Sequence, residues 1–261
     1  MKSLSRKYLL IPLVEHFYSI QGEGRYTGVP SLFFRLGGCN MRCEGFGCVE
    51  VALDGSETVG CDTVYAVDKK NFGKSWQSIT DAQELIEILQ SYKLPSDVDI
   101  VLTGGEPLLH ANNPNLVAFL EFLISRHHRV TFETNGAVAV DFEKFPVYKS
   151  CVYALSVKLS NSGEAYEKRV NPEIFNAIID EADETFFKFT VDEQGLQAGL
   201  SQEIESILLL AHKTEVTCMP KGGSKEEVEA NTNAVIDYCK AKGYRYSDRL
   251  HIRIWDQNKG V

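Results

Sequence analysis

The feature that most constrains the fold is an alternation of strand-like and helix-like segments that begins near residue 78. Short apolar runs alternate with segments of helical periodicity that are about 10 to 18 residues long. Such alternation predicts βαβ units and a mostly parallel sheet, with a binding site at the carboxyl ends of the strands. The sequence therefore predicts an α/β fold, and the lack of any clear linker or low-complexity tract favours a single domain.

The boundaries of these segments carry recognisable signals. Thr80-Asp-Ala-Gln83 and Ser224-Lys-Glu-Glu227 have the pattern of capping boxes, and the Asn-Pro pairs at 113–114 and 171–172 suit helix starts. We expect strands at 97–102, 130–132, 152–155, 185–191, 215–219 and 250–255. We expect helices after residues 80, 113 and 171, over 202–212, and from 224 to about 243.

Charge and apolar patterning exclude some functions. The 261 residues carry a formal net charge of −9, which argues against a nucleic-acid binder that works by neutralising phosphates. The apolar run 9–14 is interrupted by Pro12 and ends at Glu15, so it is too short for a signal peptide or a membrane span. We expect a cytoplasmic protein with no nucleic-acid or membrane partner.

Four of the seven cysteines lie in one short window, at Cys39, Cys43, Cys48 and Cys61. An odd total without a secretion signal makes a disulphide framework a poor explanation. Thiolates that lie close together select zinc, iron–sulphur clusters or Cu(I), and zinc fits poorly because the window has neither a CxxC pair nor a histidine. A ferredoxin would bind its cluster with four cysteines, but this chain is far larger than electron transfer requires. Three cysteines would leave one iron of a four-iron cluster open to a cofactor, and Cys39-x3-Cys43 is the start of the radical S-adenosylmethionine signature.

Further motifs follow in a fixed order along nearly the whole chain. They are Phe17–Gly24, Arg35–Asn40, Cys61-Asp62-Thr63, Thr103–Pro107, Glu133–Gly136, Ser156–Asn161 and Leu250-His251. Together they resemble the 7-carboxy-7-deazaguanine synthases, a family of radical S-adenosylmethionine enzymes. The resemblance implies a partial (β/α) barrel of the radical S-adenosylmethionine type, in one domain over 1–261.

The cysteine window departs from the family pattern. The family has Cys-x3-Cys-x2-Cys-Asp-Thr, whereas this chain carries an insertion, which we expect to be irregular over about 44–77, with Cys48 inside it. Cys61 keeps the Asp-Thr context, while Cys48 is nearer to Cys43 in sequence. We prefer Cys61 as the third cluster ligand and keep Cys48 as the alternative.

The resemblance also implies three sets of site residues. Metal ligands are Cys39, Cys43 and Cys61 for a [4Fe-4S] cluster and Thr63 for Mg²⁺. Residues expected near S-adenosylmethionine are Gly60, Asp62, Gly105, Glu106, Glu133, Asn135, Ser156, Val157, Lys158, Met219, Pro220, Lys221 and Gly222. Residues expected near a pterin substrate are Ile20, Gln21, Gly22, Glu23, Arg35, Thr103, His251 and Val261.

Several of these residues also have an ordinary structural explanation. Gly104-Gly105 suits any tight turn after a strand, and Asn135 and Ser156 suit helix caps or exposed turns. Arg35 could be a paired surface charge and His251 a buried or surface histidine without a ligand. An amide and a carboxylate at Gln21 and Glu23 can nevertheless match the donors and acceptors of a pyrimidine-like edge.

By resemblance, the enzyme would use S-adenosylmethionine and Mg²⁺ to contract the ring of 6-carboxy-5,6,7,8-tetrahydropterin. The product would be 7-carboxy-7-deazaguanine, formed with loss of ammonia in the route to queuosine. A flavodoxin-type electron donor and a homodimer are implied in the same way. The alternatives are another enzyme of the superfamily, such as a glycyl-radical activase, and a non-catalytic metal-binding regulator.

Overall fold

A nine-stranded sheet forms the centre of the computed structural model, which describes residues 10–95, 98–258 and 260. Its strands run in the order β11-β10-β9-β8-β7-β6-β2-β1-β5. They are β1 (Ile11–Ile20), β2 (Pro30–Leu36), β5 (Gln77–Ile79), β6 (Asp99–Gly104), β7 (Val130–Thr134), β8 (Val152–Leu155), β9 (Glu184–Val191), β10 (Glu215–Pro220) and β11 (Arg245–Tyr246). Neighbours from β2 through β11 are parallel, and β1 is antiparallel to both β2 and β5.

Helices alternate with the parallel strands. They are α1 (Lys69–Phe72), α2 (Ala82–Ser91), α3 (Pro114–Ser125), α4 (Tyr166–Arg169), α5 (Pro172–Glu181), α6 (Glu193–Gly195), α7 (Ser201–Leu210), α8 (Lys225–Lys242) and α9 (Leu250–Trp255). One apolar core fills the space between sheet and helices, with Phe132 and Phe187 from the strands and Phe119 from α3 fully buried. Because β5 and β11 each pair with only one described strand, the barrel is open, which confirms the predicted α/β partial barrel.

Most of the expected segments are present, with small shifts at their ends. Asn113 caps α3 by accepting a hydrogen bond from the backbone N–H of Asn115 at 2.9 Å. The first capping box lies one residue later than expected, because Asp81 is the cap and Glu84 its partner. Ser224 caps α8, but the carboxylate of Glu227 accepts from the Gly223 N–H at 2.7 Å, so only half of the second box forms.

The expected strand at 250–255 was wrong, because this segment is the helix α9. The alternation of Leu250, Ile252 and Ile254 suggested a strand, yet only Ile252 is buried and Ile254 is exposed. The edge strand β11 ends at Tyr246, and the Leu250 N–H donates to the carbonyl of Gly22 at 2.8 Å. This tertiary contact fixes the start of α9 over the first loop of the chain and overrides the local pattern.

The insertion in the cysteine window is more ordered than expected. It contains a two-stranded antiparallel hairpin made of β3 (Cys48–Val51) and β4 (Glu57–Gly60), which pairs Cys48 with Gly60. From the same segment, β5 joins the edge of the main sheet. The sequence also gave no sign of the long antiparallel pair of β1 and β2, whose residues alternate poorly between buried and exposed positions.

None of the helices among the described residues is both long and apolar enough to cross a membrane.

Candidate active site

The cysteine loop, residues 37–47 with Cys39 and Cys43, follows β2 directly and packs against the turn that follows β6. The backbone N–H of Glu106 donates to the Gly38 carbonyl at 2.8 Å, and the N–H of Gly105 donates to the Leu36 carbonyl at 3.2 Å. A Cβ atom on Gly105 would lie 2.2 Å from the Gly38 oxygen, so a larger residue would push the two turns apart. The glycine in this turn is therefore required for the close approach of two backbones.

The thiols of Cys39 and Cys43 in this loop and of Cys61, which follows β4, lie within electrostatic reach of one another. Burial raises the pKa of Cys39 to about 11 and that of Cys43 to about 12, and the charge of Cys61 adds to both increases. Burial and Asp62 raise the pKa of Cys61 as well. Lys158 acts in the opposite direction on all three thiols, because its ammonium favours thiolates.

This donor set fits an iron–sulphur cluster. Buried thiols that face a lysine can be held as thiolates once cationic iron replaces their protons. Among the described residues, no three Cys, His, Asp or Glu side chains are arranged around a single metal ion. Thiolate ligands of a cluster bind different iron atoms, and therefore need not converge on one point.

Cys48 has different neighbours from the other three thiols. The charged groups around it are Asp62, Cys61, Arg249 and Glu227, and its Sγ lies 4.0 Å from the carbonyl of Phe46. Cys61 thus adjoins the Cys39 and Cys43 pair, whereas Cys48 lies toward α8 and α9. This arrangement favours Cys61 as the third ligand.

The carboxylate of Glu106 is fully buried and is held by uncharged donors. Its oxygens accept hydrogen bonds from the Leu108 N–H at 3.0 Å, the Thr134 hydroxyl at 2.8 Å and the Asn135 N–H at 2.7 Å. Burial nevertheless raises its pKa. The Asn135 side chain donates to Asn40 Oδ1 at 2.7 Å, so Glu106 ties the end of β7 to the cysteine loop.

The remaining residues expected near S-adenosylmethionine lie at the ends of neighbouring strands. Lys158 Nζ is 3.3 Å from Ser156 Oγ, and the Ser156 N–H donates to the Thr134 carbonyl at 2.7 Å. The side chain of Val157 is part of the apolar core, so only its backbone can face a ligand. After β10, Lys221 is paired with Asp192 at 3.0 Å.

Beyond the cysteine loop, a group of buried charges lies at the ends of β7 and β9. Lys188 Nζ donates to Glu23 Oε2 at 3.0 Å and to Glu133 Oε1 at 2.9 Å, and the lysine side chain is only 5% exposed. Thr103 donates to the other Glu133 oxygen at 2.9 Å. The resemblance assigned Glu133 to S-adenosylmethionine, but its side chain faces the residues expected at the substrate end.

Gln21 and Glu23 are held by the same group. The Gln21 side-chain oxygen accepts from the Glu23 N–H at 3.1 Å, and its amide nitrogen lies 3.5 Å from Glu133 Oε1. Arg35 extends from β2, and its Nε donates to Glu15 at 2.6 Å. Ile20 ends β1 just before this loop, and Val261 lies outside the described residues.

The start of α9 closes this end of the site. Arg249 Nε donates to Glu23 Oε1 at 2.8 Å, its Nη2 donates to Asp62 at 3.1 Å, and its Nη1 donates to the Gly222 carbonyl. His251 Nε2 lies 3.8 Å from Glu23 Oε1, and a Cβ on Gly22 would overlap the imidazole at 2.0 Å from Nδ1. Arg249 therefore connects the substrate-end group to the residue that follows Cys61.

The electrostatic balance keeps Glu23 and Glu133, whose side chains are 13% and 20% exposed, in the charged form. Burial raises the pKa of Glu23, but Lys188, Arg249 and His251 outweigh it and bring that pKa well below its ordinary value. Burial also raises the pKa of Glu133, and Lys188 again reverses the shift. Burial lowers the pKa of His251 despite the nearby Glu23.

Sequence reasoning missed Lys188 and Arg249. A lysine inside the apolar run of β9 was a usable signal, because a buried lysine is almost always paired with an acid. Arg249 gave no such signal, since the segment around it was expected to enter a strand.

Comparison with known proteins defines the class. Residues 20–179 match the 4Fe-4S single cluster domain family. The fold is similar to the crystal structure of QueE from Escherichia coli, with a TM-score of 0.61 and 21% identity over 95% of this chain and 100% of that one. It is also similar to Streptococcus suis SuiB bound to S-adenosylmethionine, with a TM-score of 0.50 and 10% identity over 82% of this chain and 51% of that one. Over residues 20–179 the chain therefore belongs to the 4Fe-4S single cluster domain family, and its fold is that of these two structures.

The particular family follows from sequence. A 7-carboxy-7-deazaguanine synthase from Halobacterium salinarum is 30% identical over 272 residues, which cover 94% of this chain and 91% of the relative. One from Aquifex aeolicus is 32% identical over 222 residues, with coverage of 84% and 82%. The chain belongs to the 7-carboxy-7-deazaguanine synthase family.

Proposed function

We propose that this enzyme uses S-adenosylmethionine and Mg²⁺ to contract the ring of 6-carboxy-5,6,7,8-tetrahydropterin to 7-carboxy-7-deazaguanine, with loss of ammonia, in queuosine biosynthesis. The observation that carries the proposal is the hydrogen-bonded group of Gln21, Glu23 and Glu133, which Arg249 joins to Asp62 next to Cys61. Its amide and carboxylates offer the donors and acceptors that a pterin edge requires.

Cys39, Cys43 and Cys61 would hold the cluster, which leaves one iron for the cofactor. When bound, the cluster and S-adenosylmethionine supply the radical that removes hydrogen from the substrate. The turn at Gly105 and the side chains of Asn135 and Lys158 border the same loop, and they would orient the cofactor.

The chain's own residues would position the substrate. Glu15 holds Arg35 through Nε, and the remaining guanidinium N–H groups would bind the substrate carboxylate. Thr63 lies 3.4 Å from the Cys61 sulphur, and its hydroxyl is the kind of single oxygen ligand that Mg²⁺ accepts beside oxygens from substrate and water.

The test is an anaerobic assay of the reconstituted enzyme with dithionite, S-adenosylmethionine, Mg²⁺ and the tetrahydropterin. We expect 7-carboxy-7-deazaguanine and 5′-deoxyadenosine together, with product yield falling when Mg²⁺ is removed by a chelator. Formation of 5′-deoxyadenosine without the deazaguanine would favour an activase, and absence of both would overturn the enzymatic proposal. A flavodoxin-type donor, a homodimer and a cytoplasmic location stay predictions from the resemblance.

A further inference from the structure

Lys188 is the most deeply buried amine of the site, and neither the sequence motifs nor the family resemblance assigns it a role. Its ammonium lies between two carboxylates, at 3.0 Å from Glu23 Oε2 and 2.9 Å from Glu133 Oε1. A buried lysine loses its hydration, so its position is stable only because both acids compensate the charge. The ammonium therefore joins Glu23, in the loop after β1, to Glu133 of β7.

The contacts divide Glu23 between two cations. Lys188 occupies Oε2 from β9, and Arg249 occupies Oε1 from the start of α9. His251 also faces Oε1. The like charges nearby are Glu133, which is bound by Lys188 and faces Arg35, and Asp62, which shares Arg249 with Glu23. With a cation on each oxygen, the carboxylate has a fixed orientation and no proton to donate.

We propose that Lys188 is a positioning residue that holds Glu23 as an acceptor only, so that the site selects a ligand edge presenting N–H donors. The inference rests on the proposed function for the identity of the ligand, a 2-amino-4-oxo pterin. Such an edge offers an exocyclic amine and a ring N–H side by side, which match the two oxygens of a carboxylate. A 2-oxo edge would instead place an acceptor against the charged oxygen and be rejected.

Removing the Lys188 ammonium would change the protonation of Glu23 and Glu133. In Lys188→Met, Glu23 and Glu133 would face each other in a buried site with only Arg249, and one of them would take a proton. A protonated Glu23 could donate as well as accept, so a 2-oxo edge would become acceptable. The selectivity would then depend on pH, returning as pH rises and the carboxylate ionises.

The experiment measures binding without turnover. Equilibrium dialysis of reconstituted protein compares 6-carboxypterin with 6-carboxylumazine, which has a 2-oxo group in place of the 2-amino group and a proton on N1. It gives a ratio of dissociation constants at several pH values. For the unmodified protein we expect a ratio of about 10 to 100 in favour of the amine, as for one good bidentate contact, that changes little with pH. For Lys188→Met we expect the ratio to fall toward one at acidic pH and to recover as pH rises.

Three controls separate this role from simple loss of structure. Lys188→Arg keeps a cation and should keep most of the selectivity, and Lys149→Met removes an exposed ion pair with Glu181 and should change nothing. If Lys188→Met does not fold, Lys188→Gln, which keeps a polar side chain of similar length without the charge and leaves both carboxylates in place, carries the same measurement. An unchanged, pH-independent ratio in the variant that lacks the ammonium, Lys188→Met or Lys188→Gln, would overturn the role of Lys188. Failure of the unmodified protein to bind either pterin would overturn the proposed substrate instead.

Discussion

Two groups of carboxylates lie at the same edge of the sheet, and they are held by different kinds of partner. Glu106 is fully buried, whereas Glu23 and Glu133 are partly buried. Glu106, at the cofactor end, accepts hydrogen bonds from two backbone N–H groups and a hydroxyl. Glu23 and Glu133, at the substrate end, are bound by Lys188 and Arg249. The pKa of Glu106 is raised by burial, whereas the pKa of each of the other two is lowered in spite of burial.

The difference shows that depth alone does not decide the charge of a buried acid. Neutral dipoles position Glu106, and that suits a residue whose contacts join the cysteine loop, the turn after β6 and the end of β7. Full cations keep Glu23 and Glu133 ionised, which suits residues expected to contact a polar ligand. Arg249 spans the two ends, because it contacts both Glu23 and Asp62.

The largest expected effect concerns the thiols of the cofactor end. Cys61→Ala should abolish cluster assembly, because it removes one of three thiols that share Lys158 and lie within reach of one another. Cys48→Ala is the matched control and should keep its iron. Iron per chain and the visible absorption of reconstituted protein measure both. Loss of the cluster in Cys48→Ala alone would reverse the assignment.

Removing Arg249, which contacts both Glu23 and Asp62, should have the next largest effect. Arg249→Met leaves the buried Glu23 with one cation fewer, and breaking a buried ion pair in this way costs about 3–5 kcal/mol. Arg245→Met is the control, because that arginine is about half exposed and paired with Glu215 at the surface, where a pair contributes about 0–1 kcal/mol. Chemical denaturation of the two variants in the same cluster state compares them. Equal losses of unfolding free energy in the two variants would mean that the pair of Arg249 and Glu23 contributes no more than the surface pair of Arg245 and Glu215.

The smallest effect is a difference in pH dependence between Glu106→Gln and Glu133→Gln. Each should destabilise by about 1–3 kcal/mol near neutral pH, because a buried hydrogen-bonding group loses its match. A raised pKa makes the wild-type Glu106 contribution decrease as pH rises above about 4.5, while the lowered pKa of Glu133 makes its contribution disappear as pH falls below about 4.5. The loss caused by Glu106→Gln should therefore shrink with rising pH, and the loss caused by Glu133→Gln should grow. Denaturation at acidic and neutral pH measures the loss of unfolding free energy in each variant. If both losses change in the same direction with pH, this comparison is contradicted.

The sequence was sufficient where a signal is local. Asn113-Pro114 marked the start of α3, and the apolar runs marked the parallel strands, because capping and burial act on neighbouring residues. It was insufficient for α9, whose six residues alternate like a strand but are fixed by a contact with Gly22. A pattern with a period of two cannot reveal which distant backbone a segment will meet.

The candidate site divides in the same way. The cysteines and the Gly104-Gly105-Glu106 turn could be identified from their order in the chain, since each motif is contiguous. Lys188 and Arg249 could not be assigned, because their importance comes from acids that lie 165 and 226 positions away. The contact of Glu133 with Lys188 also depends on the positions of β7 and β9 on either side of β8. The Glu133–Gly136 motif alone does not reveal this order of strands.

The contact between Glu23 and Arg249 has a consequence for how the protein reaches its native state. The two residues are separated by 226 positions, so the pairing belongs to the slowest class of contacts in a folding chain. During synthesis the loop after β1 emerges early. The carboxylate of Glu23 in this loop nevertheless lacks the guanidinium of Arg249 until residue 249 has left the ribosome. The parallel strands can assemble before that moment, and the substrate end can order only after it. Refolding followed by separate probes at the cysteine loop and at His251 would resolve these two events in time.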